Sequence, residues 1–187
     1  VLDLDIQNGK IKDFKFTLLP IFSDLIPENK EMKKYIEDVR LPYLKELTRP
    51  IATTEETLFR RGNFNGSWDQ IICDALIDVK GAQISLSPGF RWGTSVMPNQ
   101  TITFDDLMTQ TAMTYPETYA RDIKGSEIKL ILEDVADNLF NEDPFLQQGG
   151  DMVRTGGISY KIDPKAKIGE RITNIVLSKT GEKLDAN

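Results

Sequence analysis

Two alternating runs of apolar and polar residues open the chain, one on each side of Asn8-Gly9. Their apolar members are Leu2, Leu4 and Ile6 in the first run and Phe14, Phe16 and Leu18 in the second. Alternation with a period of two is typical of β-strands, and Asn-Gly favours the type I′ turn that joins two strands. The pattern therefore predicts a β-hairpin over residues 1–19. Because an isolated hairpin is barely stable in water, we expect residues 1–26 to finish a preceding domain.

The spacing of the apolar residues becomes helical between residues 27 and 47. The positions concerned are Met32, Tyr35, Ile36, Val39, Leu44 and Leu47. Pro42 interrupts this pattern, and because proline has no backbone N–H to donate, we expect a kink or a break there. Residues 27–47 are therefore predicted to form a linker helix.

Residues 48–187 mix helical and strand patterns, which predicts a compact α+β domain, truncated at its end. Strand patterns cover residues 51–58, 82–86, 118–123, 158–162 and 172–177. After Asn65-Gly66-Ser67, a helix is predicted to turn one face to the core, formed by Trp68, Ile71, Ile72, Ala75, Leu76 and Val79. Thr103 and Asp106 have the spacing of a capping box, which predicts a short helix reaching Gln110.

The most regular helical pattern follows Ser126, which we expect to cap it. Its apolar positions are Ile128, Ile131, Leu132, Val135 and Leu139. The acidic residues of the same helix are Glu133, Asp134 and Asp137. We interpret these acids as a solvated face and not as a catalytic pair.

Composition limits the chemistry that this chain can perform. Its formal net charge of −6 argues against nucleic-acid binding, which needs clustered Lys and Arg, and no apolar run long enough to cross a membrane is present. The chain contains no histidine, which excludes Ser-His-Asp and Cys-His catalysis within it. Cys73 is the single cysteine, and we interpret it as an inert, partly buried thiol. Because the first residue is Val1, we expect a piece of a longer protein.

Two glycine-containing segments are candidate anion sites. In the segment 87–93, Gly89 and Gly93 allow close backbone approach, and Arg91 offers a planar guanidinium to an oxyanion. The alternative is a tight turn whose arginine makes a surface ion pair. The stretch 149–157 contains four glycines and fits either an anion nest or a flexible connection.

Six blocks of the sequence, in this order, resemble the SoxB thiosulfohydrolases of bacterial sulfur oxidation. They read RRGNFNG at 60–66, ICDAL at 72–76, SPGFRWG at 87–93, TYP at 114–116, LEDVADNLF at 132–140 and QQGGDMVR at 147–154. This group is similar to the 5′-nucleotidase and UDP-sugar hydrolase superfamily, which joins an N-terminal metallophosphoesterase domain to a C-terminal substrate-binding domain. The resemblance implies a 5′-nucleotidase C-terminal-type fold with a mixed sheet and packed helices. It also implies two manganese ions in an N-terminal domain outside this chain, and no metal within the chain.

The resemblance also implies which residues bind substrate. In the nucleotidases an arginine in the segment matching 87–93 contacts the substrate phosphate, and Arg91 matches it. A further basic residue and an Asn-x-Gly element map onto Arg60 or Arg61 and onto Asn63 or Asn65. The predicted substrate-binding residues are Arg91, Arg61, Asn65, Phe90, Trp92, Gly150 and Asp151. No residue of this chain is predicted to be catalytic. Phe90 and Trp92 replace small or aliphatic residues of the nucleotidases, and the base-binding element of those enzymes would lie beyond residue 187.

The function implied is that of a periplasmic enzyme that hydrolyses the thiosulfonate carried on a cysteine of the SoxYZ carrier protein and releases sulfate. This chain would be its substrate-binding domain, inactive alone, with SoxYZ and its own N-terminal domain as partners. Two alternatives stay open. The chain is the nucleotide-binding domain of a periplasmic 5′-nucleotidase-like hydrolase, or it is a carrier-interaction module without direct substrate contact.

Overall fold

The computed structural model describes residues 1–22, 24–89, 93–111 and 117–184. The chain divides into two compact units, Val1–Lys45 and Glu46–Asn187. None of the described helices combines the length and the apolar composition that a membrane crossing requires.

The first unit begins with the predicted hairpin, formed by β1 (Leu2–Gln7) and β2 (Lys10–Phe16). Asn8 has a φ of 52° and Gly9 a φ of 72°. Positive φ at both central residues is what a type I′ turn requires, and its twist matches that of the two strands. The cross-strand pairs of one face are Leu2 with Phe16, Leu4 with Phe14 and Ile6 with Ile11, and all six side chains are exposed. The prediction of a hairpin is confirmed.

The helical segment that follows is interrupted, as Pro42 led us to expect. Helix α1 (Lys30–Arg40) is capped by Asn29, whose Oδ1 accepts from the backbone N–H of Met32 at 2.9 Å. A 3₁₀ turn, Leu41–Tyr43, holds the proline, and the short helix α2 (Leu44–Leu47) follows. Pro42 therefore lies at the start of the 3₁₀ turn, where its backbone nitrogen, which carries no hydrogen, is not needed as a hydrogen-bond donor.

In the second unit, the described strands form three short antiparallel pairs. These are β3 (Pro50–Thr53) with β5 (Thr101–Thr103), β4 (Ser85–Ser87) with β6 (Arg154–Gly156), and β7 (Ile158–Ile162) with β8 (Ile172–Leu177). The α+β class is confirmed. A mixed sheet was expected, but several strands have only three residues, and each forms hydrogen bonds with one partner strand.

Three helices accompany these strands, and the core lies mainly beside the last of them. They are α3 (Ser67–Lys80), α4 (Phe104–Thr111) and α5 (Gly125–Phe140). The main buried cluster joins α5 to β7 and β8 and consists of Ile128, Leu132, Ala136, Met152, Ile158, Ile172, Ile175 and Leu177. A smaller one joins Leu58, Trp68, Val96 and Ile102. The capping box of Thr103 and Asp106 is confirmed, because Asp106 Oδ2 accepts from the Thr103 N–H at 2.8 Å.

Three local predictions were wrong. In α3, three residues of the predicted core face are exposed: Ile71, Ala75 and Val79. The buried residues include Cys73, because this side of the helix packs on β4, where Ser85 Oγ donates to the Cys73 carbonyl at 2.9 Å. Burial raises the pKa of the Cys73 thiol, as expected of an inert cysteine.

Residues 118–123 are not a strand, since no described strand pairs with them. Helix α5 is capped at Lys124 and not at Ser126, because Glu127 Oε2 accepts from the Lys124 N–H.

The acids of α5 do not form one solvated face. Glu133 is only 3% exposed, and its carboxylate accepts from the backbone N–H groups of Gly169 at 2.9 Å and Ile172 at 2.7 Å. Asp137 Oδ1 accepts from Arg171 Nη1 at 2.7 Å, and this bond lowers the pKa of Asp137. Asp134 alone is exposed as predicted. Gly169, Arg171 and Ile172 lie more than thirty residues further along the chain than these acids, out of reach of a local pattern.

Replacing Glu133 with alanine is expected to lower the free energy of unfolding by about 2–4 kcal/mol, because two buried N–H groups would lose their acceptor. Urea denaturation followed by circular dichroism measures this change. Asp134→Ala is the matched control and should change the free energy of unfolding by less than about 0.5 kcal/mol, as expected for an exposed side chain. Equal effects of the two substitutions would contradict the role given to Glu133.

Candidate functional site

A buried carboxylate shared by two arginines lies at the centre of the candidate site. Asp69 Oδ1 is 2.6 Å from Arg60 Nε, and Asp69 Oδ2 is 3.1 Å from Arg154 Nε. All three side chains are almost completely inaccessible to solvent, with exposures of 0–2%. Burying a charged group is costly unless an opposite charge lies beside it, so these three residues depend on one another.

The first turn of α3 fixes the position of Asp69. The helix follows Gly66, whose backbone N–H donates to Asp69 Oδ2 at 2.9 Å. The carbonyl of Phe59 accepts from the Trp68 N–H at 3.1 Å and lies so close to Gly66 that a Cβ there would overlap it. A carboxylate in the first turn also faces the positive end of the helix dipole. Asp69 is therefore held by its own helix before it meets either arginine.

The segment that contains Pro88 and Thr94 is attached to this cluster at both ends. Arg60 Nη2 donates to the Pro88 carbonyl at 3.1 Å, and Arg60 Nη1 donates to the backbone carbonyl of Gln110 at 2.6 Å. The side-chain Nε2 of Gln110 donates to the Thr94 carbonyl at 2.9 Å. Gly93 lies against this amide with a φ of 136°, a conformation that favours glycine.

The glycine-rich stretch 149–157 reaches the same cluster. Arg154 Nη2 donates to Asp151 Oδ2 at 3.1 Å and to the Gly62 carbonyl at 2.7 Å. A Cβ on Gly89 would lie 2.8 Å from the Cβ of Asp151, so only glycine allows the two segments to approach this closely. The stretch is thus neither a bare nest nor a flexible connection, since it contains β6 and a buried arginine. Three segments meet at one cluster: 60–66, the described ends of 87–93, and 149–154.

The structure brings four of the seven predicted residues near this junction. Arg61 is exposed and has no hydrogen-bond or ion-pair partner in the described part of the chain. The Asn65 side chain donates to the Thr155 carbonyl at 2.9 Å and accepts from the Thr155 N–H at 3.2 Å, which ties 62–66 to β6. Gly150 has a φ of 105°, and Asp151 is half-buried beside Arg154. The other three, Phe90, Arg91 and Trp92, lie outside the described residues.

The buried cluster itself is not predicted from the sequence. Arg60 was an alternative to Arg61, and neither Asp69 nor Arg154 was singled out. A signal was present in the chain: from Leu58 to Arg61, burial alternates strictly, with Leu58 and Arg60 inside and Phe59 and Arg61 outside. A strand-like register anchored on Leu58 would have assigned Arg60 to the interior.

The buried charges at the junction balance one another. Arg60 and Arg154 are balanced by Asp69 and Asp151, which leaves the cluster formally neutral, and Arg61 adds one exposed positive charge beside it. No group of three or more Cys, Asp or Glu residues in the described ranges could hold a metal ion.

A comparison with protein families found one match. The family model described as the 5′-nucleotidase C-terminal domain covers residues 50–187. A comparison with curated proteins found no match.

Several solved structures are similar over the whole chain or most of it. The sulfate thiohydrolase SoxB of Thermus thermophilus, in complex with glycerol, has a TM-score of 0.86 and 35% identity, and the match covers 100% of this chain and 34% of that one. A 5′-nucleotidase precursor from the same species has a TM-score of 0.71 and 20% identity, over 100% of this chain and 37% of that one. The NAD nucleotidase NadN of Haemophilus influenzae has a TM-score of 0.58 and 16% identity, over 86% of this chain and 30% of that one.

These matches confirm the predicted fold and the predicted resemblance. The two nucleotidases are less than 25% identical to this chain and bear on the fold alone. The chain spans about a third of the length of each of these solved proteins.

Replacing Asp69 with alanine is expected to lower the free energy of unfolding by about 3–5 kcal/mol, because two buried guanidinium groups would lose their shared counter-charge. Urea denaturation of the 187-residue chain measures the effect. The control is Asp78→Ala on the exposed side of the same helix, with an expected change below about 0.5 kcal/mol. A loss no larger than the control's would show that the cluster does not depend on this carboxylate.

Proposed function

Since the chain belongs to the 5′-nucleotidase C-terminal domain family, we propose that it is the substrate-binding domain of a sulfur-oxidation thiosulfohydrolase. The complete enzyme hydrolyses the thiosulfonate carried on a cysteine of SoxYZ, so that sulfate leaves and a persulfide stays on the carrier. This chain binds the anionic sulfonate and shapes the approach of the carrier.

The observation that carries this proposal is the junction of three segments at the Asp69 cluster, beside an exposed Arg61 that is unpaired among the described residues. A fixed positive charge beside a pre-formed surface stabilises the negative charge that develops on sulfonate oxygens during hydrolysis. Arg91 matches the phosphate-binding arginine of the nucleotidases and is proposed as the main sulfonate contact. Phe90 and Trp92 are proposed to shape the groove for the carrier.

The thiosulfohydrolase is favoured over a nucleotidase by the comparison of identities. The chain is 35% identical to the SoxB structure and 20% identical to the 5′-nucleotidase precursor, with full coverage of this chain in both. The six sequence blocks contain residues that match SoxB, including the aromatic residues on both sides of Arg91.

The two manganese ions implied by the resemblance do not fit the residues of this chain, which has no histidine and, in its described ranges, no cluster of metal ligands. We propose that an N-terminal domain of the complete enzyme holds them and supplies the attacking water. The site in this chain then contributes substrate binding and orientation. A periplasmic location is proposed on the same grounds as the SoxYZ partner.

Replacing Arg91 with alanine in the complete enzyme is expected to lower turnover of thiosulfonated SoxYZ on the order of a hundredfold, as for loss of one oxyanion donor. Sulfate release under steady-state conditions measures this. Arg121→Ala removes an exposed arginine with no described partner and serves as the control, with unchanged kinetics. Unchanged kinetics in the Arg91 variant would remove Arg91 from the site.

The 187-residue chain alone is expected not to release sulfate from thiosulfonated SoxYZ, because its described residues supply no metal site and its sequence supplies no histidine. The same assay on the purified chain tests this, with the complete enzyme as the positive control. Sulfate release that survives removal of contaminating enzyme would refute the division of labour between the two domains.

A 5′-nucleotidase function is the second candidate, since the matching family model describes nucleotidases. Titration of the complete enzyme with AMP and with thiosulfonated SoxYZ separates the two. Binding of AMP with no binding of the carrier would favour the nucleotidase. A carrier without its sulfonate that binds as tightly as the thiosulfonated form would favour a pure interaction module.

A further inference from the structure

The dipeptide Asn-Gly occurs twice in the sequence, at Asn8-Gly9 and at Asn65-Gly66. Both asparagine side chains are exposed to solvent. Asparagine is chemically labile, and a following glycine makes it more so, because without a Cβ the glycine nitrogen approaches the asparagine amide carbon freely. The two copies have the same intrinsic chemistry, so their surroundings determine which of them reacts.

The reaction is deamidation, and water is its only co-reactant. The glycine backbone nitrogen attacks the side-chain amide carbon of asparagine and gives up its proton, and the amide nitrogen leaves as ammonia. The product is a cyclic succinimide. One water molecule then opens this ring at either of its two carbonyl groups, which yields aspartate or isoaspartate. Nothing is oxidised or reduced, but the attack requires a glycine nitrogen and an asparagine side chain that are both free to move.

The contacts of Asn65-Gly66 oppose this attack. The Gly66 N–H donates to Asp69 Oδ2 at 2.9 Å. The Asn65 side chain donates to the Thr155 carbonyl at 2.9 Å and accepts from the Thr155 N–H at 3.2 Å. The carbonyl of Phe59 lies where a Cβ of Gly66 would be, so the backbone there is crowded. Both reacting groups are therefore held, and one of them is held by a buried carboxylate.

The contacts of Asn8-Gly9 leave both groups free. In the described part of the chain, neither the Asn8 side chain nor the Gly9 N–H has a hydrogen-bond partner. A Cβ on Gly9 would meet nothing within 4 Å. The tight turn has to open before the nitrogen can reach the amide carbon. Opening costs little, because every residue of β1 and β2 is exposed and a two-stranded hairpin is marginally stable by itself.

We propose that Asn8 is a site of spontaneous deamidation and that the native fold protects Asn65 from the same reaction. This inference does not depend on the proposed function. Isoaspartate at position 8 would add one main-chain atom to a two-residue turn whose type I′ geometry has no room for it. Deamidation would therefore disturb the pairing of β1 with β2 and place a new carboxylate at the tip of the hairpin.

The test compares the two asparagines within one molecule, the 187-residue chain. The chain is incubated at mildly alkaline pH, once folded and once in urea, and its peptides are followed by mass spectrometry for conversion of amide to acid. In the folded chain, Asn8 is expected to react on the order of tenfold faster than Asn65, because the loop of Asn65 opens far less often. In urea the two rates should become similar.

A second measurement assigns the product to its residue. Isoaspartate is labelled with a protein isoaspartate methyltransferase in the native chain and in Asn8→Gln, which keeps an amide but would have to form a less favourable six-membered ring. The label should fall to background in the folded variant. Circular dichroism before and after incubation verifies that both chains stay folded.

Three outcomes would overturn the proposal. Equal rates at Asn8 and Asn65 in the folded chain would show that the contacts of the second pair give no protection. An excess at Asn8 that persists unchanged in urea would show that neighbouring sequence, and not the fold, sets the difference. Undiminished isoaspartate in folded Asn8→Gln would place the reaction at another residue.

Discussion

A single buried carboxylate that lies between two buried guanidinium groups is the interaction on which the described site depends. Asp69 has this position because the first turn of α3 holds it, and Arg60 and Arg154 approach it from segments that are far apart in sequence. Arg60 then donates to the backbone carbonyls of Pro88 and Gln110, and Nη2 of Arg154 donates to those of Arg60 and Gly62. Segments without regular secondary structure thereby gain a defined geometry from side-chain hydrogen bonds, which are strong when charged and shielded from water.

This arrangement orders a site in a chain without histidine and, among its described residues, without a metal cluster. The charges of the buried cluster balance one another, whereas the charge of Arg61 is exposed. Arg60 and Arg61 thus have opposite environments, because backbone alternation turns the first side chain inward and the second outward. A site built in this way needs little reorganisation when an anion binds, which is the condition for effective electrostatic stabilisation.

The sequence correctly predicted those turns, caps and helices whose geometry is determined by residues close together in the chain. Asn8-Gly9 and the Thr103 to Asp106 capping box determine their own geometry within a few residues, and the apolar spacing of α5 identifies the core helix. The failures concern charges and their partners. Glu133 is an acid on a helix, and nothing near it in sequence shows that the Ile172 N–H, 39 residues later, lies opposite its carboxylate. Asp69 and Arg154 escaped notice for the same reason.

The second unit therefore contains two groups of buried charges with different tasks. One surrounds Asp69 and holds the segments of the site, whereas the other, Glu133 and Asp137 with Arg171, joins α5 to the β8 end of the core. The bonds described above for each group involve none of the charged side chains of the other. A substitution of a charged side chain in one group therefore removes none of these bonds from the other. Such a division allows related enzymes to differ in substrate while they keep the same core. Changes in the segments of the site do not alter the packing of α5 against β7 and β8.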